Sequence, residues 1–396
     1  MNQIVTMDKC EKMDSWVVAL FLAESSICSS INTFISIPFI SVIIMFVLLL
    51  IVMVSHKGRI RYNPDCVYIY LGISAVLGIS ILINGREYVQ QYFFYFTTFG
   101  LTALVLVTLK INYKLVFINM IWIYLMVLIV YFVQGRKQLL ESDNYWTIQM
   151  GIAYAYVIPV FFSFTYIILK NRFFKQFGQV YLWLAIFEVI ASCYIVLFDC
   201  GTRGAVFTII LGCALIVLGT LEKGKKTILY ILLLGIGGII FCQLGNILKW
   251  IGTAFDNSDI LSLRKFAQMI AEGNADNGRL PYYQDAIKFY LNSPIVGNGV
   301  GYFEKYHEGV YVHEVVLQVL CEYGVIGTSI VCCAFILFLK KLFSCSVSIE
   351  KLFMVILLCI SLILFYSSTY WLLPSFWFMI FLEIMYTKRR DKKWLM

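Results

Sequence analysis

Residues 115–133 read LVFINMIWIYLMVLIVYFV, without a single Asp, Glu, Lys or Arg. Crossing roughly 30 Å of hydrocarbon takes about 20 helical residues. The stretch is continuously apolar, so it lacks the in-and-out alternation over about ten residues that marks an outer-membrane strand. It reads as a membrane-spanning helix. Comparable runs lie at 34–55, 66–83, 91–109, 148–169, 177–198, 204–221, 227–247, 314–339, 352–367 and 370–387. The last two are short, and tilting or merging would accommodate them. A segment at 15–31 carries Glu24 and several serines and counts as the first helix. The expected fold is an all-α polytopic membrane protein with about 12 transmembrane helices.

Composition points the same way. Hydrophobic residues make up 61% of the 396 residues and charged residues 14%, against roughly 45–50% and about 25% in ordinary globular proteins. No soluble fold covers so much apolar surface, whereas lipid suits it. The first 14 residues are polar and lack the layout of a signal peptide, so none is expected.

The basic residues set the orientation. With twelve helices, one side holds Lys9, Lys12, the connections around Lys57, Lys110, Lys170, Lys223 and Lys340, and the tail from Lys388 to Lys393. That is 21 of the 31 Lys and Arg residues. The short connections opposite hold only Arg86, Arg136, Lys137 and Arg203. The positive-inside rule places both termini in the cytoplasm. The net charge of +8 is thus a signature of topology, and no nucleic-acid partner is implied.

The twelve cysteines form no CxxC, most sit in apolar runs, and the three histidines make no HExxH. These cysteines read as small packing residues. No metal and no cofactor is expected.

The chain then divides into residues 1–247 with nine spans, an external loop at 248–312, and residues 313–396 with three spans and a basic tail. Within the loop, 257–272 reads as an amphipathic helix capped by Asn257 or Ser258 and ended by Gly273. A second helix starts at Pro281, a residue favoured at the first helical position, and runs to about Leu291. Asn292, Ser293 and Pro294 stop it. Gly297, Gly299 and Gly301 follow, permitting a tight turn or close backbone approach to a ligand. They lack the GxGxxG spacing of a dinucleotide site. His307-Glu308 reads as a solvated pair. Glu322 falls several residues inside an apolar helix, where an ionisable group usually faces the bundle interior or a polar cavity. Arg203 stands at the outer mouth of the eighth helix, as a snorkelling anchor or as a functional charge.

From Asn277 to Gly327 the sequence NGRLPYYQDAIKFYLNSPIVGNGVGYFEKYHEGVYVHEVVLQVLCEYGVIG resembles the signature region of the O-antigen ligase/polymerase superfamily. There an Arg opens a loop helix, a Pro precedes a GxGxG-like turn, a His begins the next transmembrane helix, and E-x-G-x-x-G follows. Arg279, Pro294, Gly297, Gly299, Gly301, His313, Glu322, Gly324 and Gly327 occupy those places. Gly201-Thr202-Arg203-Gly204 resembles the family's Ser-Arg or Thr-Arg patch. The motifs cover about 60 residues, and their order and spacing carry the resemblance. One departure stands out: His313-Glu314 replaces the usual His-Asn. An acid there orients the imidazole, raises its pKa, or marks a different role for the His.

The resemblance implies glycan transfer from a polyprenyl diphosphate at the outer face of the bacterial inner membrane. Arg203 and Arg279 would hold the diphosphate, since guanidinium matches phosphate oxygens bidentately. His313 would position or deprotonate the acceptor hydroxyl, with Glu314 as its partner or substitute. The glycines would shape the loop over the cleft, and Glu322 would line it or pin packing. Tyr282 and Tyr311 would stack on sugars, although apolar packing of the loop explains them equally well. Undecaprenyl-diphosphate-linked oligosaccharide is the expected donor and acceptor, with a flippase supplying it and a separate regulator setting chain length. A polymerase is favoured over a ligase that moves glycan to lipid A core. A flippase is the rival from another class, but no repeat of the two halves is visible and the unusual charges gather at one face.

Overall fold

The computed structural model describes residues 9–32, 34, 35, 37, 39–60, 62–141, 145–221, 254, 255, 258, 260–271, 278–344 and 346–394. It is 82% helix, and no strand occurs among the described residues. The all-helical expectation holds for a plain reason: in lipid a helix satisfies every internal backbone group without water.

Before residue 248 the described helices are α1 (Lys9–Leu22), α2 (Glu24–Asn32), α3 (Ile40–Ser55), α4 (Pro64–Asn84), α5 (Arg86–Tyr95), α6 (Leu101–Leu106), α7 (Tyr113–Val130), α8 (Arg136–Glu141), α9 (Tyr145–Phe173), α10 (Gln179–Tyr194) and α11 (Arg203–Thr220). The segment 248–312, called the loop below, carries α12 (Leu261–Ala271), α13 (Leu280–Asn292) and α14 (Tyr302–Tyr306). Then come α15 (Val315–Ser344), α16 (Ile349–Ser361) and α17 (Pro374–Trp394). Wider π turns prolong α7 over Tyr131–Gly135 and α10 over Ile195–Cys200, and another joins α5 to α6.

Among the described residues six helices are long and apolar enough to cross a membrane: Pro64–Asn84, Tyr113–Gly135, Ile148–Phe173, Gln179–Cys200, Arg203–Thr220 and Val315–Ser344. A seventh would be α1 with α2, which bend by 64°. Ile40–Ser55 and Pro374–Tyr386 are apolar but shorter. The run at 227–247 lies outside the described residues. The two last runs do not merge: α16 ends at Ser361, and after a 3-10 turn over Leu362–Phe365 the chain leaves helix until the short turn Tyr370–Leu372. The polar Tyr366-Ser367-Ser368-Thr369 stretch explains the break, because hydroxyl side chains compete with the helix for backbone partners.

Local chemistry sets several ends. Asn63 Oδ1 accepts from the Asp65 amide at 2.9 Å, Pro64 supplies the first turn of α4, and Gly85, at φ 90°, closes it. Asn112 caps α7 and Ser348 caps α16 in the same way. In the core Phe117 lies 5.1 Å from Phe162, which meets Phe353 at 6.1 Å, joining α7, α9 and α16. Gly212 lets α11 sit directly on Phe161, as small residues do between membrane helices. Leu82, Val54, Ile210 and Leu337 are exposed and suit contact with lipid.

The loop helices follow the sequence closely. Pro281 stands in the first turn of α13, and Ser293 ends it. The first loop helix begins at Leu261, later than expected, and Ser258 accepts from the Ile260 amide just ahead of it. A small core of Ala286, Phe303, Val312 and Cys321 ties α13 and α14 to α15. His307 does not sit in water as a free surface residue. Its ring stacks 4.3 Å from Phe303, and Nε2 is 3.6 Å from Asp285.

Candidate active site

Arg203 is the first residue of α11. Gly201, at φ 61°, ends the π turn of α10 and swings the chain round to it. Leu261 of α12 packs on that glycine; a Cβ there would lie 2.7 Å from its Cγ. Lys265 reinforces the seat, donating to Gln149 Oε1 at 2.9 Å and to the Cys200 carbonyl at 3.3 Å. Asp199 pairs with Arg136, with Nη2 at 3.0 Å, and accepts from the Tyr131 hydroxyl at 3.0 Å.

Arg279 precedes α13, and its Nη1 donates to the carbonyl of Tyr366. The Tyr366 hydroxyl shares a hydrogen bond with Thr208 of α11. The neighbouring carbonyl, of Ser367, accepts from the Tyr311 hydroxyl at 3.0 Å, and the Ser367 side chain is hydrogen-bonded to Tyr154. Tyr154 packs against Gly204. The Arg279 charge acts on Arg203, Tyr154, Tyr311 and His313. Residues far apart in sequence therefore meet at one end of the bundle.

His313 is held at φ 64°, a left-handed conformation uncommon for residues other than glycine. The Tyr311 ring lies 4.2 Å away. Its Nδ1 is buried with no hydrogen-bond partner among the described residues. Burial first, and the nearby Arg279 second, hold its pKa down to about 4. The imidazole is neutral at pH 7 and has a ring nitrogen able to accept a proton.

Glu314 takes a different place from the one expected beside His313. Oε1 accepts from the Val316 amide at 3.0 Å and Oε2 from the Leu317 amide at 2.7 Å. The carboxylate caps α15, where a helix N-terminus favours negative charge. It neither bonds the imidazole nor raises its pKa.

Glu322 is 3% exposed. It accepts from Gln318 at 2.8 Å and from the Tyr370 hydroxyl. Glu304 lies close enough to act on it and accepts from the Tyr92 hydroxyl at 2.6 Å. Burial pushes the Glu304 carboxyl up. Glu322 therefore faces the interior, as its position implied.

The glycine turn meets protein. Gly299 N donates to the Glu322 carbonyl and Asn298 N to the Cys321 carbonyl, both at 2.9 Å. Val325 and Ile326 return bonds to the Pro294 and Ile295 carbonyls, at 2.8 and 3.2 Å. The exchange is possible because α15 breaks at Gly324, with φ 61° and ψ −164°. Gly297 fits against the backbone of Glu322 and Tyr323, Gly299 against Asn84, and Gly301 against Val89. The close approach expected of these glycines is made to helices, and it locks the loop onto α15. Tyr282 likewise belongs to the loop core, 5.2 Å from His307 and 6.5 Å from His313.

Among the described residues no group of three or more His, Cys, Asp or Glu could hold a metal. A cavity of about 290 Å³ lies away from this constellation, lined among others by Glu11, Lys110, Glu350 and Tyr386.

Residues 186–332 match the family model described as O-antigen ligase. Over that segment the chain is similar to the O-antigen ligase/polymerase superfamily, and the match supports the resemblance seen in its motifs. It contains Arg203, Arg279, the three glycines, His313 and Glu322, and it stops before Tyr366. The match and the apolar helices together support a multi-pass membrane protein. No curated protein matches the chain. Tyr154, Tyr366 and Ser367 escaped the sequence reading. Tyr154 lies within an apolar run with nothing to mark it. The other two had one signal, the polar YSST stretch between two short apolar runs.

Proposed function

We propose that the chain is a polysaccharide polymerase. It joins undecaprenyl-diphosphate-linked oligosaccharide repeat units at the outer face of the bacterial inner membrane. One observation carries this reading: Arg203 and Arg279, from different elements, lie close enough to act on one another, and Arg279 acts in turn on a half-buried, neutral His313. Two guanidinium groups suit the two phosphates of a diphosphate leaving group, and in a partly dry cleft they stabilise the charge it acquires.

The step balances simply. An acceptor hydroxyl oxygen attacks the anomeric carbon of the donor. The bond from that carbon to the diphosphate oxygen breaks, and its electron pair leaves with the diphosphate. His313 takes the hydroxyl proton. Bound diphosphate offsets the Arg279 charge that depresses His313, so the imidazole becomes a stronger base when the donor is in place. Glu314 holds the first turn of α15, and with it the residue beside the base. Tyr311 is placed to flank the sugar, and Glu322 and the glycines hold the loop in position.

The full architecture belongs to the same proposal: twelve spans, both termini cytoplasmic, the 248–312 loop outside, and a flippase and a chain-length regulator as functional partners. Its support is the positive-inside rule: counted on twelve spans, 21 of the 31 Lys and Arg residues fall on the side of the two termini.

The test is deletion, with surface polysaccharide resolved on gels, and complementation by wild type and by Arg203→Ala, Arg279→Ala and His313→Ala. Core bearing a single repeat unit, or its capsular equivalent, after deletion supports the polymerase. Near-normal polymer from either arginine variant at normal expression sinks the clamp. The family description favours a second reading, ligation to lipid A core. Long polymer left on the carrier lipid with bare core would establish that reading. Repeat units trapped on the cytoplasmic leaflet would replace both with a flippase.

A further inference from the structure

Tyr366 lies in the non-helical stretch between α16 and α17, outside the segment matched by the family. It touches both elements that carry the arginines. Its carbonyl accepts from Arg279 Nη1. Its hydroxyl bonds Thr208, five residues beyond Arg203 on the same helix. Its ring meets Phe207 edge-on at 5.9 Å, and its Cδ2 would lie 3.2 Å from a Cβ on Gly204. One residue thus grips α11 through its side chain and the start of α13 through its main chain.

The kind of grip matters. Arg203 and Arg279 repel one another in a half-buried cleft, and Tyr366 bonds to the elements that carry both. A carboxylate would hold Arg279 but would also cancel its charge. A neutral carbonyl holds it by hydrogen bonding and leaves the charge for an anionic ligand.

We propose that Tyr366 is a positioning residue that fixes the separation of Arg203 and Arg279, so that the pair selects a diphosphate over a single phosphate. This rests on the reading above, in which the two arginines hold the diphosphate of the donor. Each arginine alone binds any phosphate; only a fixed spacing distinguishes one phosphate from two linked ones. The stored spacing also serves the reaction, because the leaving group keeps both contacts as its charge develops.

The experiment uses the purified full-length protein in nanodiscs with a polyprenyl-diphosphate-linked repeat unit. Inhibition by inorganic diphosphate and by inorganic phosphate is measured beside turnover. Tyr366→Phe removes the bond to Thr208, and Thr208→Val removes it from the other side. Each variant is expected to weaken diphosphate inhibition about tenfold, the scale of one hydrogen bond, while phosphate inhibition stays put. The double variant should lose no more than either single one, and Thr208→Ser should restore selectivity. Equal weakening of both inhibitors, or no change in their ratio, overturns the inference. If Tyr366→Phe fails to fold, Thr208→Val decides alone. Arg203→Ala separates the two levels. If it leaves diphosphate inhibition intact, the clamp itself falls. If it abolishes inhibition while the Tyr366 and Thr208 variants do nothing, only the role of Tyr366 falls.

Discussion

His313 shows how much a residue's surroundings decide. A free imidazole titrates near 6.5, whereas burial and Arg279 bring this one to about 4. The fold therefore favours the neutral ring. Its contribution to stability is complete above about pH 6.5 and is lost progressively as pH falls toward 4, because the unfolded chain binds the proton more readily over that window. For catalysis, the acid limb of kcat/KM reports the free enzyme and should fall near pH 4 instead of 6.5. A limb at 6.5, unchanged in His313→Gln, would remove the imidazole from the reaction. Glu314 makes the opposite point, since its carboxylate is engaged by two amides. Glu314→Ala should cost about 1 kcal/mol, the usual size of a lost cap, measured by thermal unfolding in detergent. The pH profile of activity should keep its shape. A shifted acid limb would show that Glu314 acts on His313 after all.

At the scale of elements, the break in α15 is the feature on which the loop depends. At Gly324 the chain takes φ 61° and ψ −164°, a region essentially reserved for glycine. A Cβ there would also stand 2.5 Å from the Ile295 carbonyl oxygen. Gly324→Ala should cost at least about 1–3 kcal/mol and release the 293–301 turn from α15. The expected readout is faster protease cleavage between α13 and α14, with loss of polymer. Unchanged cleavage would mean that the turn is held by its contacts with Asn84 and Ser80 alone. The stretch from Tyr366 to Tyr370 is the matching break on the other side. Through Arg279, Tyr311, Gln318 and Glu322 it bonds the loop and α15 at once.

For the whole molecule, the proposed twelve-span topology would sort the connections by charge and put the candidate site at the end poorer in Lys and Arg. That topology is open to direct measurement. A fluorescent protein fused after the C-terminal tail should fold and glow, as it does in the cytoplasm. A protease site or tag placed at 274–278 should be reachable from the periplasm. A dark C-terminal fusion, or a loop tag protected in spheroplasts, would invert the orientation and move the site to the wrong face for a polymerase.

The sequence by itself determined that the chain is helical and membrane-embedded, because segment length and apolarity are local properties that lipid reads directly. It also marked α13 through Pro281, the turn through its glycines, and Arg203, Arg279, His313 and Glu322 through ordered motifs. Tertiary structure alone decided what those residues touch. Only there does Glu314 become a helix cap, do the glycines meet helix backbone, and does Tyr366 stand between two arginines 76 positions apart in the chain. The reason is physical: propensity and hydrophobicity act along the chain, whereas a hydrogen bond to a distant carbonyl exists only once the helices have packed.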